Sequence, residues 1–256
     1  MKIIINGING VMGRIVLGEA ENLEGAEVVA GFDTKPAAPG DGPVFRGKAL
    51  DVFGSPNPVP GGADVLIDFS HFSSIPALMD YCAGAGLPGV ICTTGLGEDE
   101  MASVAQAARK IPVFRSANMS LGINLMAKMG AMAAPALEDR FNVEIIEKHH
   151  TRKKDSPSGT ALLLADAVNG ACAGKKDYLF GRHGKNDECR ITDLGIHAIR
   201  GGSIPGQHTI LFAGPDETIE ITHTVYSRKV FALGALKAAL FICGRKPGLY
   251  SMEDML

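Results

Sequence analysis

The sequence predicts an α/β fold that opens with a parallel, doubly wound sheet. Three observations predict it. A short β-branched run is followed by regularly spaced glycines, a helix and a second strand that ends in an acid. Strand and helix patterns then keep alternating. Each apolar strand ends in a small polar cluster, as a ligand crevice at the carboxyl edge of an open sheet requires.

Lys2-Ile-Ile-Ile-Asn6 is an apolar strand suited to burial on both faces. Gly7, Gly10 and Gly13 follow, then a helical stretch from Arg14 to Asn22 with Ile15, Val16 and Ala20 on one side. Glu27 to Phe32 is the next strand, and Asp33 ends it. Glycines let the backbone turn tightly and approach a pyrophosphate, and the helix N-terminus offers unpaired N–H groups. Asp33 stands 20 residues after Gly13, where a dinucleotide fold places the acid that binds the adenosine ribose. The spacing G-x-x-G-x-x-G departs from the commoner G-x-G-x-x-G, and an ordinary glycine-rich turn is the competing reading.

Further along, 63–68, 89–92 and 112–114 read as strands, and 74–85 and 99–110 as helices. Asp68–Ser70, Thr93–Gly95 and Ser116–Ser120 are the polar clusters at the strand ends. The Ala-, Met- and Leu-rich run Leu121–Leu137 reads as a helix leaving this first domain, with Pro135 expected to end or bend it. Asn118–Ile123 is the expected hinge.

Phe141 to His150 alternates as a strand, with Val143, Ile145, Glu147 and His149 on one face and Glu144, Ile146, Lys148 and His150 on the other. Adjacent histidines therefore diverge, and with no H-x-x-x-H or Cys–His spacing no metal is expected. Lys148, Arg152, Lys153 and Lys154 crowd into seven residues of a chain whose net charge is −3. A local cationic patch of this kind suits a small anion. Ser156 or Asp155 is the expected N-cap of the following helix, with Pro157 at its first position. Ser158, Gly159 and Thr160 would then present free N–H groups to a carboxylate, beside a histidine able to move a proton near neutral pH.

The bulk properties narrow the function classes. Hydrophobic residues make up 46 % and charged residues 21 %, an ordinary globular balance that gives no global attraction for nucleic acid or an anionic membrane. No apolar run reaches the ~20 residues of a membrane span, and the start MKIIINGING is too short for a signal-peptide core. Five scattered cysteines without C-x-x-C spacing fit reduced thiols in the cytoplasm.

The stretch EKHHTRKKDSPSGTA, Glu147 to Ala161, resembles the E-x-H-H-x-x-K-x-D-x-P-S-G-T-A signature of the dihydrodipicolinate reductase family. The likeness runs the whole length, through GINGVMGR, DFS at Asp68, TTG at Thr93, SANMSLGIN at Ser116, RGGSIPGQHT from Arg200, SRKVFALGALKAAL from Ser227 and the closing KPGLYSMEDML. It implies a Rossmann-type domain over 1–123 and 228–256, and over 124–227 an α+β domain with a mixed sheet for substrate binding and assembly into a homotetramer. It implies NADH or NADPH as cofactor and a small cyclic dicarboxylate as substrate, in lysine and diaminopimelate biosynthesis. By position, His149 is the proton donor and Lys153 assists. His150, Lys153, Ser158, Gly159 and Thr160 hold a substrate carboxylate. Gly7, Ile8, Asn9, Gly10, Val11 and Met12 wrap the pyrophosphate, with Asp33 on the ribose. Cys92, Thr93 and Thr94, with Ser116, Ala117, Asn118 and Met119, flank the nicotinamide; the family often has glycine at the position of Cys92. Asp33 repels a 2′-phosphate while Lys35 attracts one, so the site leans towards NADH without excluding NADPH. His183, His197, His208 and His223 have no expected role. Two other readings fit parts of the pattern: a different Rossmann oxidoreductase acting on an amino-acid precursor, and a nicotinamide-binding sensor without catalysis.

Overall fold

A computed structural model describes residues 1–35, 41–59, 61–185 and 188–256. The chain forms two compact units, Met1–Leu121 with Arg228–Leu256, and Gly122–Ser227.

The first unit begins with β1 (Lys2–Asn6), α1 (Val11–Glu21) and β2 (Glu27–Phe32). Three two-residue strands follow, β3 (Val44–Phe45), β4 (Lys48–Ala49) and β5 (Val52–Phe53). The alternation resumes with β6 (Val65–Asp68), α2 (Ile75–Ala85), β7 (Gly89–Ile91), α3 (Glu98–Ala108) and β8 (Pro112–Arg115). Next come α4 (Leu121–Leu137), β9 (Asn142–His149), α5 (Gly159–Ala171), β10 (Asp177–Phe180), β11 (Asp193–Arg200), β12 (Gln207–Ala213) and β13 (Thr218–Thr224). The chain then returns to the first unit as α6 (Lys229–Ile242), β14 (Gly248–Tyr250) and α7 (Met252–Met255).

The first unit's main sheet has the order β14-β8-β7-β6-β1-β2-β5, with every pairing parallel. Successive side chains on its central strands feed opposite cores. Ile3, Ile5, Val65 and Ile67 pack with α1 and α6 residues such as Val16 and Leu236. Ile4 and Leu66 pack with Leu78, Met79 and Val104 of α2 and α3. That division is why these strands read as unbroken apolar runs. The parallel order also brings the carboxyl ends of β8, β7, β6 and β1 side by side.

The second unit carries a mixed sheet, β10-β11-β9-β12-β13. β10, β11 and β9 are parallel, whereas β12 runs antiparallel to both β9 and β13. Val143 and Ile145 of β9, Ile196 of β11 and Ile210 and Phe212 of β12 meet Met126 and Ala134 of α4 and Leu164 and Val168 of α5 in one core. By register the opposite face carries Ile146, Ile199 and Leu211.

Two local expectations change. α1 starts at Val11 rather than Arg14, because Gly10 is the N-cap and Gly13 is already helical. A Cβ on Gly13 would overlap the carbonyl oxygen of Gly7, so this glycine closes the turn by removing bulk. Pro135 does not break α4, which runs on to Leu137. It lies in the last turn, so only two residues of the helix follow it. Among the described residues, no helix is long and apolar enough to cross a membrane, and no three His, Cys, Asp or Glu side chains gather as metal ligands.

Candidate active site

In the first unit the glycine turn and Asp33 face one cleft of about 470 Å³, lined by residues including Asn6, Gly7, Asn9, Gly10, Asp33 and Ser70. Gly7 has φ +77°, and a Cβ there would stand 2.6 Å from the carbonyl oxygen of Phe69. The Asn9 N–H donates to Asp33 Oδ2 and the Lys35 N–H to Asp33 Oδ1, both at 2.9 Å. The turn and its acid are thus one hydrogen-bonded assembly. Ile8 is fully buried and lies against Gly31, so only its backbone can face a ligand. Val11 is exposed, and Met12 packs at the margin of the core. Gly10 caps α1 without a side chain, which leaves the helix's first turn without a side-chain acceptor at its N-cap.

Asp68, 0 % exposed, ties the neighbouring strand ends together. It accepts from Asn6 Nδ2 at 2.8 Å, Thr93 Oγ1 at 2.6 Å, and the hydroxyl and N–H of Ser70. Burial pushes its carboxyl above the usual range, and these donors oppose that shift. The Thr93 side chain therefore points at Asp68. Cys92 is buried, its thiol pushed far up by burial, and its N–H bonds to Asp68 O. Its side chain belongs to the core. Thr94 and Ala117 are exposed. The Ser116 N–H reaches Ile91 O at 3.3 Å, which sets 116–119 beside the end of β7, with Met119 buried in the core.

In the second unit, β9 alternates as expected, with Val143, Ile145 and Glu147 buried. Glu147 is 0 % exposed. A buried carboxylate needs a counter-charge and a partner for each lone pair, and Glu147 has both. Oε1 accepts from Arg200 Nη2 at 2.7 Å and the Ser158 N–H at 3.0 Å. Oε2 accepts from Arg200 Nη1 at 2.7 Å and faces His149 Nδ1 at 2.6 Å. Parallel register supplies the arginine, because Arg200 pairs with His149 across β11 and β9. Burial alone would raise the Glu147 carboxyl, but Arg200 and His149 hold it below the usual range.

His149 is pulled in several directions. Burial lowers its imidazole, Glu147 opposes this, and Lys153 and Arg200 add to the lowering. Its ring packs edge-on against His208, centroids 5.1 Å apart. His208 is buried beside Ser158, its Nε2 2.9 Å from the Ser158 hydroxyl, and burial drives its pKa down to about 3. Gly206 leaves room at His149, since a Cβ there would stand 3.3 Å from Nε2.

The start of α5 corrects the expected cap. Ser158 is the N-cap, its hydroxyl accepting the Ala161 N–H at 3.1 Å, and the helix begins at Gly159. Pro157, joined to Ser156 by a cis peptide bond, therefore precedes the cap instead of opening the helix. The Ser158 N–H is not free, because Glu147 takes it from the neighbouring strand. Asp155 lies close by: its carboxylate pairs with Lys153 Nζ at 2.8 Å and also accepts the Gly159 N–H, and both hold its acid low against the effect of burial. Thr160 follows in the first turn. His149 ends β9, while His150 opens the next turn, its carbonyl accepting the Lys153 N–H at 3.1 Å and its Nδ1 buried without a hydrogen-bond partner.

Structure thus gathers His149, Lys153, Ser158 and Gly159 around one corner and adds Arg200, Gly206 and His208, three positions of the RGGSIPGQHT stretch that carried no expected role. The alternation gave a further clue, since it set an acid on the buried face beside His149 and so demanded a cation.

Comparison with known proteins agrees along the whole chain. Residues 1–119 match the family described as dihydrodipicolinate reductase, N-terminus, and residues 122–256 the one described as dihydrodipicolinate reductase, C-terminus. The 4-hydroxy-tetrahydrodipicolinate reductase of Caldanaerobacter subterraneus subsp. tengcongensis is 48 % identical over 256 residues, covering 100 % of this chain and 98 % of the relative. That of Clostridium tetani is 44 % identical over 256 residues, covering 100 % and 97 %. The fold of a dipicolinate-bound dihydrodipicolinate reductase from a Paenisporosarcina species matches with a TM-score of 0.81 at 24 % identity, covering 100 % of this chain and 99 % of that one.

Proposed function

The chain belongs to the dihydrodipicolinate reductase family and is an NAD(P)H-dependent oxidoreductase of lysine and diaminopimelate biosynthesis; on that premise we propose that His149 is the proton donor in the reduction of 4-hydroxy-tetrahydrodipicolinate to tetrahydrodipicolinate. The observation that supports this most is the corner where a half-buried imidazole, 12 % exposed, stands among Lys153, Arg200 and the start of a helix.

The 1–123 and 228–256 portion is the cofactor domain in this reading. Gly7–Met12 take the pyrophosphate through backbone, and Asp33 takes the ribose. Its fit rests on the assembled turn: a side chain at Gly7 or Gly13 would fill it, and the Asp33 carboxylate is already held on Asn9 and Lys35 amides. Cys92, Thr93, Thr94 and Ser116–Met119 form the nicotinamide end, Cys92 through its backbone. Bound NADH or NADPH supplies the hydride, which goes to ring C4.

The 124–227 portion holds the diacid. Lys153 and His150 face one carboxylate, with Gly159, Thr160 and the Ser158 hydroxyl, which can turn its proton from His208 to an incoming anion. Burial, with the cations Lys153 and Arg200, favours a neutral His149. Two substrate carboxylates offset those cations, so substrate arrival favours the protonated ring that the reaction needs. Loss of water across C4 and a neighbouring ring carbon gives the conjugated ring to which the hydride adds at C4, and His149 then delivers a proton to that neighbouring carbon. The proposal extends to a cytoplasmic homotetramer, supported by Ile146, Ile199 and Leu211, apolar residues on the sheet face opposite the core.

Turnover of His149→Gln decides the central point. It should fall by about 10²–10⁴-fold, the usual share of acid–base catalysis, with NADH affinity unchanged. Near-normal turnover would remove His149 from the role. Pyridine-2,6-dicarboxylate, a flat diacid, should compete with substrate, and Lys153→Ala should weaken it.

A further inference from the structure

Glu147 touches no expected ligand, yet all its lone pairs are engaged and one of them faces the proposed proton donor. A carboxylate can only accept hydrogen bonds. Paired with Arg200 on both oxygens, it stays ionised, so His149 Nδ1, 2.6 Å from Oε2, must carry the hydrogen between them. Nε2 is then the nitrogen left to exchange protons, and Gly206 is the residue that keeps space beside it.

We propose that Glu147 is the positioning residue of this site: it fixes the tautomer and direction of His149, and Arg200 fixes Glu147. The inference rests on the reading of His149 as donor. Its geometry is that of a carboxylate–imidazole pair, with Ser158 as a further anchor: the Ser158 N–H binds the same carboxylate, and its hydroxyl caps α5. One buried acid therefore locks together the end of β9, the end of β11 and the start of α5.

The charged and titratable groups facing His149 are Glu147 on its own strand, Arg200 at the end of β11, Lys153 in the following loop and His208 on β12. The two partners of the pair act on it with opposite sign, which separates positioning from mere structural support. Glu147→Gln removes the anion and should lower the His149 titration point. Arg200→Gln removes the cation, leaves the anion and should raise it. Ring resonances of isotope-labelled histidine in the full chain, followed by NMR against pH, read this directly without turnover.

In kinetics, Glu147→Gln should lower kcat roughly 10- to 1000-fold, within the acid–base share. It should move the alkaline fall of the kcat profile to lower pH and leave the KM for NADH within about threefold. If both variants shift the titration of His149 in the same direction, or neither does, Glu147 is a structural residue and the proposal fails. Should Glu147→Gln not fold, the upward shift in Arg200→Gln still decides. His149→Gln with normal turnover would overturn the donor assignment instead, a result that the NMR titration does not share.

Discussion

His208 had no expected role, yet its burial has a measurable consequence. Its neutral ring is held beside the Ser158 hydroxyl and the His149 ring, and its pKa falls from 6.5 to about 3. The unfolded chain takes up a proton at about 6.5 and the folded chain resists until about 3. This contribution to stability is therefore complete above pH 6.5 and is lost as pH falls through that window, on the order of 4–5 kcal/mol in total. His208→Gln should flatten the acid side of a plot of Tm against pH; parallel curves for variant and wild type would refute the assignment. His149 shifts the same way for the same leading reason, but Glu147 opposes the shift. Two imidazoles in contact thus differ in what they can do: one is set aside as neutral packing, and the other keeps a carboxylate partner and an open nitrogen.

At the scale of elements, the start of α5 joins capping to ligand binding. Asp155 occupies Lys153 and the Gly159 N–H, the groups proposed for a substrate carboxylate. Because Asp155 is exposed, its pairing with Lys153 is weak and exchangeable. Asp155→Asn should therefore lower the Kd for pyridine-2,6-dicarboxylate about two- to fivefold, as loss of one competing exposed charge allows. A weaker complex, measured by calorimetry, would mean that Asp155 aims Lys153 rather than competing for it. The β1–α1 turn shows the opposite economy. Nothing there is exchangeable: Gly7 and Gly13 are in contact, and Asp33 is bound to the turn it serves. One helix start adapts to a variable acid, while the other is built around a constant backbone shape.

At the scale of the molecule, the second unit's sheet buries one face beneath α4 and α5, and on the other face Ile199 remains 45 % exposed. A homotetramer using that face should sediment with four times the 26.8 kDa mass of one chain, and Ile199→Lys should shift it to smaller species; a wild-type monomer would end that reading. Much of this architecture was legible in the sequence. The strand–glycine–helix–acid order, the alternating faces of β9 and the cationic loop all follow from short-range periodicity and sterics, which a linear chain displays directly. The choice of Ser158 over Ser156 as cap was not legible, because it depends on an acid 11 residues earlier taking the Ser158 amide. Nor was Arg200, 53 residues beyond Glu147, or His208, 50 beyond Ser158. The sequence by itself determined the alternating strands and helices up to β9 and which face of β9 is apolar, but not the strands between 168 and 226. Only the tertiary structure decided which cation answers the buried acid and which nitrogen of His149 is left to react, because strand register joins groups that no local period connects.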